Sequence, residues 1–152
     1  MIKILYIILL SATPLLEQRA AIPLGIIIFQ MNPFFVFAVS FLGSLLPVPF
    51  ILFFFTHIFK WLEKLKPFRW FYEYVHRKVN KGSVKVQKLE KWGLIFFVAL
   101  PLPTTGLWTG SAIAAFLEMD KKKAFLYILA GGFLSAVAIT GMSVLFPYLL
   151  GY

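Results

Sequence analysis

The chain has 152 residues, 61% of them hydrophobic, a mean hydropathy of +0.86 and a formal charge of +9; soluble domains are about 45–50% apolar, so this is the composition of an integral membrane protein. There is no cysteine, which excludes disulfide and thiol chemistry, and His57 and His76 have no metal-ligand spacing. There is also no Walker loop or dinucleotide fingerprint, so no cofactor or metal is expected, and the positive charge is assigned to cytoplasmic loops of a membrane protein rather than to nucleic-acid binding.

Ile2 to Ala12 is apolar but only 11 residues long, roughly 16 Å as a helix, where a bilayer core needs about 20 residues. Lys3 ahead of a short apolar run ending in Ser11-Ala12-Thr13 resembles a signal peptide, but Pro14 fits poorly after a cleavage point and the apolar run resumes at once. Thr13-Pro14 reads as a helix start, with Thr as N-cap and Pro at the first helical position. A second half-helix then runs from Pro14 toward Phe29, bent near Pro23, with Gly25 as a close-packing point. This stretch carries Glu17 and Arg19, and an ionisable residue within an apolar block faces protein or a cavity. The reading is a re-entrant hairpin over 2–30.

Asn32-Pro33 is a polar break. Phe34 to Phe59 has no formal charge and is long enough to span, so a transmembrane helix is expected over 33–59, kinked at Pro47 and Pro49. Residues 1–59 form a first repeat.

Residues 60–91 hold ten Lys/Arg and three Glu. Trp61, Leu65, Phe68, Tyr72, Val75 and Val79 recur at steps of three and four, the stripe of a basic amphipathic helix lying on the membrane surface. Ser83 is expected to cap a second short helix ending at Trp92. A second repeat, 92–152, begins with another segment too short to span. Pro101 and Pro103 break it, and Thr104-Thr105-Gly106 opens a helix to Leu117, giving a hairpin over 93–117. Glu118 to Lys123 is a polar edge, and a second uncharged transmembrane helix is expected over 122–149.

Met31 and Gly43 have the same separation as Met119 and Gly131, a weak sign of an internal repeat. Paired interrupted segments in two halves point to a transporter binding site. If only two helices cross, the linker and Lys121-Lys122-Lys123 share one side with every Lys and Arg except Lys3 and Arg19. The expected fold is therefore all-α: an inverted repeat of re-entrant hairpin plus transmembrane helix, joined by a basic interfacial helix. Residues 60–91 and 119–123 lie in the cytoplasm and both termini outside, in the plasma membrane of a prokaryote.

The candidate site follows from helix ends. Half-helix N-termini offer free N–H donors and partial positive charge to an anion, and Arg19 adds a fork of donors. Arg19, Thr104, Thr105, Gly106 and Trp108 are the candidate substrate-binding residues, and Pro14, Pro23, Pro101 and Pro103 break the hairpins. Glu17 either pairs structurally with Arg19 or carries a proton, as intramembrane carboxylates often do. Glu17 is the only carboxylate in the apolar blocks and no Ser/His pairing appears, so no enzyme is expected.

LLEQRAAIPLG resembles the first motif of the small multi-drug export family, and LPLPTTGLWTGSAIA resembles its second. The resemblance covers nearly the whole chain. More distantly, the hairpin–helix plan is similar to the DedA or VTT superfamily, which implies two re-entrant hairpins meeting in the membrane and transport or scrambling of lipids. Three functions are weighed. The first is a proton-coupled transporter or lipid translocase for an anionic, phosphate-bearing amphiphile. The second is efflux of cationic drugs with Glu17 as the binding charge, and the third a non-transporting membrane assembly protein. Expected partners are membrane lipids, the anionic amphiphile and a second copy, in a homodimer or larger assembly.

Overall fold

A computed structural model describes residues 2–14, 16–62, 73, 84–102 and 105–149. All regular elements among them are helices. Most of the basic linker, together with Pro103 and Thr104, lies outside the described residues.

Helix α1 (Ile2–Ala12) stops where Pro14 disfavours helical backbone at Thr13. Thr13 does not cap a following helix as the sequence predicts; its hydroxyl donates back to the Leu10 carbonyl at 2.7 Å. The next helix, α2 (Glu17–Pro23), starts three residues beyond Pro14 and has no side-chain cap of its own. Pro23 cannot donate to the Arg19 carbonyl four residues back, and the helix continues as a wider π-helical stretch, Leu24–Ile28, in which the Phe29 N–H reaches Leu24 at 3.0 Å. Asn32 then caps α3 (Pro33–Leu45) through Oδ1, which accepts from Phe34 and Phe35 N–H at 3.0 and 3.3 Å. The predicted kink is a one-residue break at Leu46, with Pro47 opening α4 (Pro47–Leu62). The second half begins with α5 (Val84–Ala99), one helix where the sequence predicts two; it passes through Gly93 without interruption. Two shorter and longer elements follow, α6 (Leu107–Phe116) and α7 (Lys121–Leu149).

Local geometry recurs 88 positions on, the distance from Met31 to Met119. Gln30 and Glu118 both have φ 51°, a left-handed conformation rare without glycine. Asn32 and Asp120 both cap the long helix that follows, Asp120 accepting from Lys123 N–H at 3.0 Å. Gly43 and Gly131 mark where each long helix meets the helix before its half's break: a Cβ at Gly43 would lie 3.0 Å from Ser11 Cβ on α1, and one at Gly131 would lie 2.6 Å from the Ile95 carbonyl on α5.

The long helices run antiparallel. Lys121 sits over Phe53, Gln18 links Ser44 to Gly132, and Val36 shares a cluster with Ile139. Two buried clusters result, one of Ile7, Ala21, Ile22, Val36, Ala136 and Ile139, the other including Val48, Leu52, Leu94, Val98, Leu107, Ala124 and Ile128. Helix α7 contributes to both. The exterior is apolar: Phe34 is 85% and Phe50 76% exposed, a surface that requires lipid or a partner. Pro33–Phe59 and Lys121–Pro147, 27 residues each, are long and apolar enough to cross a membrane.

Candidate functional site

The two broken segments meet tip to tip. Five hydrogen bonds join residues 12–19 to residues 100–108. The Glu17 carboxylate accepts from the Leu107 N–H at 3.1 Å and the Trp108 N–H at 2.9 Å. It therefore caps α6 from another part of the chain, using the donors that a helix N-terminus leaves free. Glu17 is 3% exposed, with φ 46°. A non-glycine residue in that region costs about 1–3 kcal/mol, offset here by two charge-assisted bonds. A Cβ at Gly106 would overlap the Glu17 carboxyl group, so only glycine at 106 admits the carboxylate.

Arg19 holds the second tip by other groups, Leu100 and Thr105. One terminal nitrogen, Nη2, donates to the Leu100 carbonyl and to Thr105 Oγ1, both at 2.9 Å. Thr105 Oγ1 in turn lies 2.7 Å from the Leu100 carbonyl, so arginine and threonine together satisfy the backbone freed before Pro101. Glu17 and Arg19 are not hydrogen-bonded to each other and take separate partners. Arg19 Nε and Nη1 are buried and have no partner. Buried unfilled donors are rare, more so on a charged group. Arg19 lines a cavity of about 320 Å³ with Pro23, Ile27, Pro101, Ile139, Met142, Ser143 and Phe146.

Trp108 bridges the tips a third time, its indole N–H donating to the Ala12 carbonyl at 3.2 Å. Its ring faces a separate aromatic cavity of about 690 Å³ that includes Phe50, Phe53 and Phe54. The structure thus gathers Glu17, Arg19, Thr105, Gly106 and Trp108, with Pro23 and Pro101 beside Arg19. Pro14 is exposed at the turn after α1.

Sequence reasoning missed Gln18. It is fully buried; Nε2 donates to the Gly132 carbonyl at 2.8 Å and Oε1 accepts from Ser44 Oγ at 3.2 Å. One side chain thereby ties the first tip to both long helices. The signal was present, an amide set between two charges in an apolar run. No metal-ligating cluster occurs among the described residues.

Two antiparallel helices long and apolar enough to span, under an apolar exterior, are the features of an integral membrane protein. The chain belongs to the family described as "Putative small multi-drug export protein", whose pattern matches residues 17–138. That match begins at Glu17 and takes in Glu17 to Arg19 of the first tip and the whole of the second. No curated protein and no solved structure matches the chain.

Proposed function

We propose that the chain is a small secondary transporter that moves an anionic amphiphile across the membrane, with Arg19 as the anion-binding group and Glu17 as the proton carrier. The observation that carries this reading is the Arg19 guanidinium, buried with Nε and Nη1 unfilled on a mostly apolar cavity. A phosphate or carboxylate head fits the unused edge of the fork, and the Ile27, Met142 and Phe146 walls suit an alkyl tail.

Glu17 supplies the coupling. Its carboxylate holds the α6 N-terminus, on the same tip that Arg19 grips through Leu100 and Thr105. A proton on Glu17 removes the charge that this helix end favours and frees the Leu107 and Trp108 donors. Proton and anion are thereby linked through the second tip, which Glu17 holds at one end and Arg19 at the other.

In this reading 2–30 and 93–117 are re-entrant hairpins of an inverted repeat. Support comes from the 11- and 10-residue lengths of α1 and α6, from the antiparallel long helices and from the geometry recurring between the halves. The basic linker and Lys121–Lys123 face the cytoplasm, and two copies enclose the path. The kinship with the DedA or VTT superfamily rests on this plan alone.

Proteoliposomes carrying dodecyl phosphate test the proposal. Wild-type protein should move it with a rate that depends on pH. Arg19→Gln should abolish flux and Arg19→Lys retain part of it, while Glu17→Gln should remove the pH dependence. The family description favours a second reading, export of cationic drugs. Dodecyltrimethylammonium flux that requires Glu17 and survives Arg19→Gln would establish that reading instead. If neither probe moves, the chain is not a transporter of either class.

A further inference from the structure

A second feature, remote from Arg19, lies at the other end of the long helices. A groove of about 510 Å³ runs between α4 and the start of α7, walled by Pro49, Leu52, Phe53, Phe125 and Leu126, with Lys121 and Lys122 at its mouth. That volume falls within the range of ligand-sized cavities, about 300–1,000 Å³. Phe53 and Leu126 are each more than half exposed, so the groove opens sideways to the surroundings of the helices.

The charges at its mouth are placed against the helix dipole. Lys121, Lys122 and Lys123 occupy the first turn of α7, where the partial positive charge of the helix end disfavours cations. Asp120 answers only part of this, by accepting from the Lys123 N–H at 3.0 Å. Lys121 Nζ lies 4.5 Å from the centre of the Phe53 ring, a cation–π contact that holds one ammonium over the apolar wall. An anion from outside the chain relieves this repulsion. The lysines also begin the 27-residue span Lys121–Pro147, which sets them at headgroup depth, where basic residues attract anionic lipid.

We infer that this groove is a docking site for one anionic glycerophospholipid, an acyl chain lying between α4 and α7 and the phosphate on Lys121 and Lys122. The cationic mouth on an apolar trough matches that amphiphile, whereas a second protein copy would have to bring its own carboxylates to the same lysines.

Native mass spectrometry of the full chain in a non-ionic detergent, with phosphatidylglycerol or phosphatidylcholine added, tests this. One phosphatidylglycerol should be retained about tenfold more tightly than phosphatidylcholine. Lys121→Gln/Lys122→Gln, two exposed positions, should lower its retention to the phosphatidylcholine level, while Lys3→Gln should leave it unchanged. Equal retention of the two lipids, or an unaffected double variant, overturns the site. So does displacement of the lipid by inorganic phosphate, since a headgroup held without its chain leaves no role for the groove. A dimer that retains no lipid overturns it as well. None of these outcomes depends on Arg19 or on transport.

Discussion

Replacing Glu17 by alanine leaves the Leu107 and Trp108 N–H groups without an acceptor, and a buried orphaned group costs about 1–3 kcal/mol. Gly106→Ala should do similar damage by another route, because its Cβ takes the volume of the carboxyl group. The two changes attack one contact, so the Glu17→Ala/Gly106→Ala double variant should fall well short of the summed losses. Unfolding in detergent across this cycle measures the coupling, and additive losses would show that the capping contact does not exist. Gln18 gives a second residue-scale expectation. Gln18→Leu gives up two neutral hydrogen bonds, about 1–2 kcal/mol, and leaves Ser44 bonded to the Phe41 carbonyl. Gln18→Glu should be worse than Gln18→Leu, since it sets a carboxylate against the Gly132 carbonyl without water. The reverse order in thermal midpoints would remove Gln18 from its bridging role.

At the scale of elements, helix contact here depends on small residues more than on apolar area, because lipid tails solvate leucine as well as protein does. Gly131 carries the closest approach to another helix's backbone, with the Ile95 carbonyl 2.6 Å from where a Cβ would stand. Backbone cannot yield as a side-chain tip does. Gly131→Ala should therefore force α5 and α7 apart at a cost of about 1–3 kcal/mol. Gly141, ten residues along the same helix, has nothing within 4 Å of a built Cβ. Gly141→Ala should be neutral or stabilise by up to about 1 kcal/mol through helix propensity. Matched thermal unfolding of these two variants separates packing from propensity, and similar losses at both would argue against a tight α5–α7 seam.

For the whole molecule the decisive prediction is topology. This chain has no cysteine, so single cysteines at Asn32, Gly82 and Lys122 need no prior substitution. Under the proposed arrangement Gly82 and Lys122 label with an impermeant reagent from one side and Asn32 from the other. Gly82 and Lys122 labelling from opposite faces would give four spans, and the proposed transport site would fall with the re-entrant hairpins. The antiparallel order of the long helices, with Phe53 beside Lys121 and Ser44 joined to Gly132 through Gln18, is what both arrangements must accommodate.

Composition alone pointed to the membrane class, and chain length between polar breaks marked the two helices long and apolar enough to cross a bilayer. These are local properties: hydropathy and length need no knowledge of neighbours. The Asn32–Pro33 helix start was legible for the same reason, since a cap acts within its own turn. The matching Met31–Gly43 and Met119–Gly131 spacings were a weak sign of a repeat, and the helix starts and close glycines recur at the same offset. Residue identity also marked Glu17, Arg19 and the Thr105–Trp108 stretch as special. Only the tertiary structure decided what these residues do to one another. Thr13 lost the capping role that its position promised, since α2 starts only at Glu17 and the hydroxyl donates back to Leu10, while Glu17 caps α6, 90 residues on at Leu107. Glu17 and Arg19, two residues apart on α2, turn to different partners because positions i and i+2 of a helix do not share a face. Such pairings join segments distant in the chain, and no local pattern encodes them.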